Sequence, residues 1–504
     1  MRARSLMVMG TASDVGKSVV ATAVCRAFAR RGIRVAPFKS QNMSNNAAVC
    51  AGGGEIGRAQ AVQAQACGLE PSVEMNPVLL KPESGSGCQV VIAGRSRFRV
   101  NAFEHERYRA QAWPEIVRSY NSLAERFDLI VVEGAGGAAE INLRDRDLAN
   151  WVIADLADAS VLMVGDVDKG GVFASLYGTV ELLTPAERRR VKGFLINKFR
   201  GERALLEPGP RFLEERTGIP VLGVLPFEQN LAIPREDSAS LESRAPAFGD
   251  TAVRIGVVHL PGISNYTDFD PLESEPEVAV RYLSDPVSAP ELDVLILPGS
   301  KSTVADLRWM RAAGWEDFLV RVLRRGGSVM GVCGGYQMLG RRIVDRDHVE
   351  SDQTDTVGLG LLDLETVFAP RKITAQVTGI HLPTGLPITG YEIRSGRASG
   401  VIPSRALFRI ERRDDSAAGD FDGAQSADGR VIGTSIHGLF DAPGFRRHFI
   451  DTVRKSRGRG PLADPTRAVA GPNRGDAFDR LADLLEAHVD MRRVAALAGL
   501  DWSA

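Results

Sequence analysis

The chain has 504 residues, of which 44% are hydrophobic and 25% are charged, and its formal net charge is −1. A chain of this length is too long to form one compact core, so it predicts roughly two or three domains. The composition is that of an ordinary globular protein. The near-neutral charge argues against a nucleic-acid partner, and no apolar stretch approaches the ~18 residues that span a bilayer, so no membrane association is expected. The five cysteines are a sparse, odd set, which favours the reducing cytoplasm over a disulfide-linked fold.

Short apolar runs alternate with helical patterns through about residue 230, which predicts an α/β domain with a parallel sheet covered by helices on both faces. The predicted strands are Leu6–Met9, Ile33–Pro37, Leu129–Val132, Val161–Val164, Phe194–Asn197 and Val221–Val224. The first crossover helix is predicted over Lys17–Arg31, closed by Gly32. The first apolar run follows two arginines, but it is too brief for a signal peptide and leads directly into a glycine-rich loop.

That loop reads Gly-Thr-Ala-Ser-Asp-Val-Gly-Lys-Ser and joins the first strand to the first helix. Backbone N–H groups of such a loop cradle phosphates, the lysine reaches the β- and γ-phosphates, and the serine hydroxyl binds Mg²⁺. Five residues separate the two glycines, one more than in the common motif, and none of them is lysine, unlike the loop of partitioning ATPases. The predicted ATP-binding residues are Gly10, Thr11, Asp14, Val15, Gly16, Lys17 and Ser18.

Three polar residues end later strands of the predicted sheet. Glu133 follows a buried-looking strand and suits a second magnesium ligand beside Ser18. Asp166 ends another strand and begins Asp-Val-Asp-Lys-Gly-Gly, and Asn197 ends a third at the position where this fold usually meets the adenine base. For both acids, a solvated position at the strand end is the alternative.

The pattern fades into Pro, Ser and acidic residues between Gln229 and Asp250, and a second series of strands follows. These strands are predicted over Arg254–Val258, Val294–Leu297, Val329–Val332 and Val431–Ile436, with a late helix over Ala477–Val489. The predicted units are therefore a first domain over residues 1–230, a linker over 231–252, a second domain over 253–454 and a helical tail over 455–504.

A cysteine in the second domain lies in Gly-Val-Cys-Gly-Gly, where a predicted strand runs into a helix. This pattern is typical of a nucleophile elbow, whose strained turn needs small neighbours and raises the side chain above the sheet edge. The start of a helix also favours the thiolate, which is the attacking species. Cys333 is the only one of the five cysteines in such a setting, and we predict that it attacks the amide of glutamine.

A cysteine nucleophile needs a histidine partner, and seven histidines are available. His437 follows the last predicted strand in Ser-Ile-His-Gly, whereas His259 precedes the cysteine and the others lie in polar or helical contexts, so His437 is preferred. The tetrahedral oxyanion should be bound by backbone donors at the elbow and at a glycine turn after a neighbouring strand. Gly299, Ser300 and Gly334 are the candidates.

The chain carries, in this order, a phosphate loop, Glu-Gly-Ala-Gly, Asp-Lys-Gly-Gly and a cysteine elbow. This arrangement resembles the cobyrinate amidases of cobalamin biosynthesis, whose first domain is similar to dethiobiotin synthetase. Further similar stretches are Pro37–Met43, Gly54–Gln60, Met75–Pro82, Ile141–Asp147, Leu297–Ser302 and Gly390–Ile393 onward. The likeness spans about residues 5–450. It implies a P-loop NTPase-like domain followed by a class I glutamine amidotransferase-like, flavodoxin-like domain.

The resemblance also implies a glutamine-hydrolysing carbon–nitrogen ligase. Its substrates would be ATP with Mg²⁺, L-glutamine and a corrinoid, adenosylcobyrinic acid a,c-diamide, amidated at the b, d, e and g carboxylates. Cys333 would be the nucleophile and His437 its partner, while Leu439 occupies the slot where most glutaminases carry a glutamate, which leaves any third catalytic group open. Candidates to bind the charged macrocycle are Lys39, Gln41, Asn42, Asn45, Asp166 and Lys169, with Arg144 and Arg146 in a run that is equally well explained as a solvated loop.

Three alternatives remain. The a,c-diamide synthase runs the same reaction on other carboxylates, and the stretches Gln41–Met43 and Asn76–Pro82 disfavour it. A cell-wall amidating ligase would normally divide these domains between two chains. A non-catalytic nucleotide switch is disfavoured by the intact cysteine and histidine. The order of amidations, an ammonia tunnel and a homo-oligomeric state are left open by the sequence.

Overall fold

The computed structural model describes residues 2–83, 87–101, 104–228, 233–234, 253–461 and 474–502. Apart from Ile233 and Pro234, the predicted linker over residues 231–252 lies outside the described residues. Among the helices of the described ranges, none is long and apolar enough to cross a membrane.

The N-terminal half is built on a six-stranded sheet in which every neighbouring pair is parallel. In spatial order its strands are Val221–Pro226, Val191–Phe199, Ser160–Asp166, Arg4–Gly10, Leu129–Glu133 and Val35–Phe38. Met7 and Met9 pack into the core on one face, while Leu6 and Val8 pack into the core on the other. The sheet is therefore buried on both faces, which confirms the predicted α/β class.

Helices cover both faces of this sheet. They span Lys17–Ala29, Arg58–Ala66, His105–Arg126, Trp151–Leu156, Val172–Glu181, Pro185–Arg190, Arg203–Leu206 and Pro208–Thr217, with 3₁₀ turns at Val73–Met75 and Ile141–Arg146. The first helix begins at the predicted residue and ends two residues earlier than predicted, and Gly32 then turns the chain with a φ of 78°.

Short strands that lie along the chain between the helices Lys17–Ala29 and His105–Arg126 form two side sheets that contact the C-terminal half. One contains Gln41–Met43, Val78–Pro82, Gly87–Ile92 and Arg95–Asn101, and the other pairs Ala47–Val49 with Glu55–Gly57. The sequence did not predict them. The strands Gln41–Met43, Ala47–Val49 and Glu55–Gly57 have three residues each, which is too short for a periodicity to be recognised.

The C-terminal half contains a second, mostly parallel six-stranded sheet. Its strands in spatial order are Val278–Leu283, Val253–Val258, Val294–Leu297, Ser328–Val332, Val431–Thr434 and the antiparallel Ala424–Gln425. The last parallel strand stops at Thr434, two residues before the predicted end. The Thr434 hydroxyl accepts a hydrogen bond from the N–H of Ile436 at 3.1 Å, which turns the chain out of the ladder.

A largely antiparallel sheet, which was not predicted, accompanies the parallel one. Its strands are Asp355–Val357, Arg342–Val344, Glu365–His381, Pro387–Ser399, Phe408–Arg413, Ser416–Ala417 and Phe421–Asp422. A two-stranded pair joins Ile263–Ser264 to Gly299–Ser300. The long hairpin of residues 365–399 brings the carbonyl of Ile393 to 3.7 Å from the Cys333 sulfur.

The remaining helices complete both halves. In the C-terminal half they span Asp270–Glu273, Thr303–Ala312, Trp315–Arg324, Gly334–Leu339 and Pro443–Ser456, with 3₁₀ turns at Tyr266–Phe269, Pro403–Arg405 and Leu439–Asp441. The helices Arg474–His488 and Met491–Leu497, which belong to the predicted tail, pack back onto the N-terminal half. Arg26 of the first helix donates from Nε and Nη2 to the two carboxylate oxygens of Asp479, at 2.8 and 3.0 Å.

The two halves meet through ion pairs and a small apolar cluster. Glu55 pairs with Lys372 at 2.8 Å, and Lys301 pairs with Glu83 at 2.7 Å. The cluster consists of Ala47, Val49, Leu79 and Val91 from the N-terminal half with Tyr391 and Ile393 from the C-terminal half.

Candidate active sites

The phosphate loop has the backbone that a phosphate cradle requires. Asp14 and Gly16 both adopt positive φ, of 59° and 98°. A Cβ atom on Gly16 would collide with the amide nitrogen of Asn197, so only glycine fits there. The Lys17 ammonium donates to the carbonyls of Ala12 at 2.8 Å and Gly136 at 2.9 Å, which holds it along the loop.

A buried carboxylate, Glu133, lies beside the loop. Its Oε1 accepts hydrogen bonds from the Ser18 hydroxyl and from the Lys39 ammonium, both at 2.8 Å. Its Oε2 accepts from the amide of Gln63 at 2.5 Å. Two hard oxygen ligands, from Ser18 and Glu133, are thus adjacent and fit a cation that takes its other ligands from phosphate and water.

The other predicted strand-end residues surround the loop. Asn197 donates to the carbonyl of Val15 at 2.9 Å. Asp166 pairs at 2.7 Å with Lys198, whose ammonium also donates to the carbonyl of Asp14 at 2.5 Å. Asp166 therefore supports the loop through a lysine that sequence reasoning did not single out.

A cavity of about 1220 Å³ opens beside the phosphate loop. Of the predicted residues, its wall contains Asp14, Gly16, Lys17, Ser18, Lys39, Gln41, Asn42, Glu133, Arg144, Arg146 and Asn197. Asn45, Asp166 and Lys169 are not on this wall; Asn45 donates instead to the carbonyl of Pro82 at 3.2 Å. The wall also includes Leu481 and Leu485 from the C-terminal helix, so the described part of the tail contributes to the cavity.

Cys333 lies at the sharp turn between the strand Ser328–Val332 and the helix Gly334–Leu339. Its φ of 48° is rare for a residue with a side chain and is the strain expected at a nucleophile elbow. Its N–H donates to the carbonyl of Thr434 at 2.8 Å, which ties the elbow to the strand that precedes His437. A Cβ on Gly335 would collide with the carbonyl of Leu297, so the turn depends on that glycine.

His437 is completely buried next to Cys333. The imidazole also contacts an aspartate, Asp268, which the sequence analysis did not predict. Asp268 Oδ2 lies 2.6 Å from His437 Nδ1, and Asp268 Oδ1 accepts from the N–H of Gly438 at 2.9 Å. Asp268 lies in the 3₁₀ turn Tyr266–Phe269, 169 residues before the histidine, in a segment without a recognisable motif.

These neighbours decide the charge of the imidazole. Burial disfavours the charged form of His437, but the carboxylate of Asp268 and the side chain of Cys333 outweigh it and raise the pKa of His437 to about 10. The imidazolium is therefore the form present at neutral pH, and its Nδ1–H is donated to Asp268.

The three predicted oxyanion-site residues surround the elbow. Gly299 and Ser300 pair with the strand Ile263–Ser264, and a Cβ on Gly299 would lie 3.0 Å from Cε1 of His437. A Cβ on Gly334 would lie 2.8 Å from the backbone nitrogen of Ser300. Backbone groups of both segments thus approach one point near Cys333.

A small cavity of about 50 Å³ lies over the thiol. Its lining includes Cys333, Gln337 and His437 of the C-terminal half, together with Lys81 and Gln89 of the N-terminal half. Residues of both halves therefore contribute to the wall of this site.

Comparisons with known proteins divide the chain at the same place. The family model described as "CobQ/CobB/MinD/ParA nucleotide binding domain" matches residues 6–240, and the model described as "CobB/CobQ-like glutamine amidotransferase domain" matches residues 254–445. The phosphate loop lies inside the first match, and the cysteine elbow lies inside the second.

Relatives match over almost the whole length. The chain is 48% identical to the cobyric acid synthase of Sorangium cellulosum, over 99% of this chain and 100% of the relative. It is 44% identical to that of Dehalococcoides mccartyi strain CBDB1, covering 98% and 99%, and 46% identical to that of Yersinia enterocolitica, covering 98% of each. With its nucleotide-binding and glutamine amidotransferase domains, the chain belongs to the cobyric acid synthase family of glutamine-dependent ligases.

Proposed function

We propose that the protein amidates the b, d, e and g carboxylates of adenosylcobyrinic acid a,c-diamide, using ATP for activation and glutamine as the source of ammonia. The observation that carries this proposal is the combination, in one chain, of a phosphate loop on a large cavity and a buried cysteine–histidine–aspartate group. The near-complete match to relatives named cobyric acid synthase supports the substrate.

Activation would occur at the phosphate loop. A carboxylate is a poor electrophile, so one of its oxygens attacks the γ-phosphorus of ATP, ADP leaves, and an acyl phosphate forms. Lys17 lies along the loop where it would contact the phosphates, and Lys39 adds positive charge beside Glu133. Mg²⁺, when held by Ser18 and Glu133, would neutralise charge on the transferred phosphoryl group.

Ammonia would be released at Cys333. The thiolate attacks the side-chain carbonyl carbon of glutamine, and the backbone around Ser300 and Gly334 would stabilise the tetrahedral oxyanion. The His437 imidazolium gives its proton to the leaving nitrogen, while Asp268 holds the ring by its Nδ1–H. Water then hydrolyses the thioester to glutamate, and ammonia displaces phosphate from the acyl phosphate.

The size and lining of the large cavity support a corrinoid beside ATP. Its volume of about 1220 Å³ exceeds the usual ~300–1,000 Å³ of sites for one small ligand. Its wall combines the cations Lys39, Arg144 and Arg146 with the exposed apolar side chains of Met43 and Leu143. Such a surface suits a macrocycle with carboxylates at its periphery and methyl groups on its faces.

Two measurements test the proposal. Mass spectrometry of the corrinoid after incubation with glutamine and ATP should show four successive conversions of carboxylate to amide. Cys333→Ala should reduce glutamine-driven amidation by about 10³-fold or more and leave amidation with added ammonia intact. If ammonia restored nothing while the variant stayed folded, the division into two sites would be wrong.

A further inference from the structure

One short helix of the N-terminal half, Arg58–Ala66, lies between the two sites. Successive residues of an α-helix are rotated by ~100°, so Gln60 and Gln63 lie close to one face and Arg58 lies on roughly the opposite one. The contacts of these three side chains follow that geometry, and each face contacts a different site.

The glutamine face contacts the nucleotide site. Gln63 donates to Oε2 of Glu133 at 2.5 Å, and Gln60 approaches the same oxygen at 3.4 Å. The other oxygen of that carboxylate accepts the hydroxyl of Ser18 from the phosphate loop. If Glu133 shifts when a nucleotide binds, its hydrogen bonds would therefore transmit the shift to this helix.

The arginine face contacts the glutaminase site. Arg58 Nη2 donates to the hydroxyl of Tyr391 at 2.5 Å and to the carbonyl of Ala47 at 2.8 Å. The Tyr391 hydroxyl also accepts from Asn265 at 2.8 Å and donates to Oδ1 of Asp268 at 3.3 Å. The Tyr391 hydroxyl thus links the Arg58 guanidinium to the Asp268 carboxylate, which orients the catalytic histidine.

Tyr391 in turn contacts the histidine itself. The two rings stack with centroids 5.3 Å apart and an angle of 18° between their planes. Their backbones exchange two hydrogen bonds, of 3.0 and 2.9 Å. The tyrosine therefore fixes both His437 and Asp268, and its own hydroxyl is fixed from the other half of the molecule.

We infer that Arg58 is a positioning residue for glutamine hydrolysis, supplied by the synthetase half, and that the helix Arg58–Ala66 makes this hydrolysis responsive to the nucleotide site. The inference rests on the proposed function. It adds a route that couples the release of ammonia to the activation of the acceptor carboxylate. The route is Glu133, Gln63, the helix, Arg58, Tyr391 and the Asp268–His437 pair.

The first arm of the test separates positioning from general structure. In Arg58→Gln, kcat for glutamine hydrolysis should fall about 10- to 100-fold, while KM for glutamine and the rate of ammonia-driven amidation change less than about twofold. Arg58→Lys, which keeps one charged donor, should recover part of the loss. Arg189→Gln is the matched control, because Arg189 is exposed on the helix Pro185–Arg190, far along the chain from these contacts.

A double-mutant cycle then tests the path through the tyrosine. Tyr391→Phe should lower kcat for glutamine hydrolysis at least as much as Arg58→Gln, because it removes the hydrogen bond to Arg58 together with those to Asn265 and Asp268. The double variant should be little worse than Tyr391→Phe alone, since the Arg58–Tyr391 hydrogen bond is already absent there. Fully additive losses would overturn the path.

The second arm tests coupling. In the wild type, glutamine hydrolysis should accelerate when ATP and the corrinoid are both present, and in Gln63→Leu and Arg58→Gln this acceleration should be lost. Glutamine hydrolysis in Arg58→Gln equal to that of Arg189→Gln would overturn the inference, as would equal losses in the glutamine- and ammonia-driven reactions. A wild type that hydrolyses no glutamine would instead remove the proposed function, and the inference with it.

Discussion

The two sites differ in how the chain builds them. The phosphate loop is nine consecutive residues, from Gly10 to Ser18, and its cavity of about 1220 Å³ is open to large ligands. The glutaminase group comes from three distant segments, at Asp268, Cys333 and His437, and encloses about 50 Å³. A local loop suffices to hold phosphate, whereas the cysteine and its histidine and aspartate neighbours must be brought together by the whole domain.

The proposed function accounts for the difference in size. Under that proposal the acceptor is a macrocycle that presents several carboxylates in turn, which requires a large site. The nitrogen donor would be one small amino acid, and the smaller cavity is lined in part by Lys81 and Gln89 of the other half.

Lys17→Ala should produce the largest effect that separates the two sites. The Lys17 ammonium lies along the phosphate loop, and its loss should lower acyl phosphate formation by about 10³-fold. Thioester formation at Cys333 should continue. Positional isotope exchange in ATP measures the first step, and trapping of the glutaminyl thioester measures the second; undiminished isotope exchange would refute the role of Lys17.

Asp268→Asn should give a smaller loss on the other side of the comparison. Without the carboxylate, the pKa of His437 should fall below its value of about 10, so the imidazolium would lose its proton closer to neutral pH. We expect kcat for glutamine hydrolysis to drop about 10²-fold, with the high-pH limb of the rate profile moved to lower pH. Ammonia-driven amidation is the internal control, and a pH profile unchanged from the wild type would contradict this role of Asp268.

The difference between a contiguous site and one assembled from distant segments also explains which features the sequence could predict. The strand Val294–Leu297, the phosphate loop and the cysteine elbow are recognisable because their patterns are contiguous. Asp268 carries no signal, since an aspartate in a short turn is ordinary and only the folded sheet brings it to His437. The contact of Arg58 with Tyr391 is equally hidden, because it joins two domains across 333 residues.

The long antiparallel hairpin was missed for a related reason. Buried and exposed positions alternate at both ends of its strand Glu365–His381, but several buried positions carry small or polar residues such as Thr366 and Gly379. The register also shifts between Phe368 and Ile373, so the sequence lacks the apolar alternation that identifies a strand. Parallel strands of the two main sheets are buried on both faces and read as continuous apolar runs, which is why most of them were predicted within two residues.

The contact between the two regions should respond to acid. Glu55 is buried, which raises its pKa, but the ammonium groups of Lys372 and Lys81 outweigh burial and lower that pKa from 4.5 to about 2. A depressed carboxylate pKa stabilises the fold above pH 4.5, and the stabilisation is lost as pH falls through about 2. Lys372→Met should cost about 1–3 kcal/mol at pH 7, and this difference from the wild type should shrink below pH 4.5.

Thermal denaturation over this pH range checks the prediction. Lys192→Met serves as the matched control, because Lys192 is exposed at the start of its strand. A cost of Lys372→Met that stays constant into strong acid would show that its ammonium does not act through Glu55.

The smallest effect should come from the ion pairs that join the C-terminal helix to the first helix. Arg26→Ala removes both hydrogen bonds to Asp479, whose pKa Arg26 holds below its usual value, yet both side chains are partly exposed. Exposed pairs of this kind contribute about 0.2–1 kcal/mol and are screened by salt. Because Leu481 and Leu485 on the same helix are buried against the first helix, apolar packing should hold the helix in place in the variant. We therefore expect a small drop in melting temperature that disappears in high salt, with the ATP-dependent reaction unchanged; a large, salt-independent drop would show that this helix is held by charge.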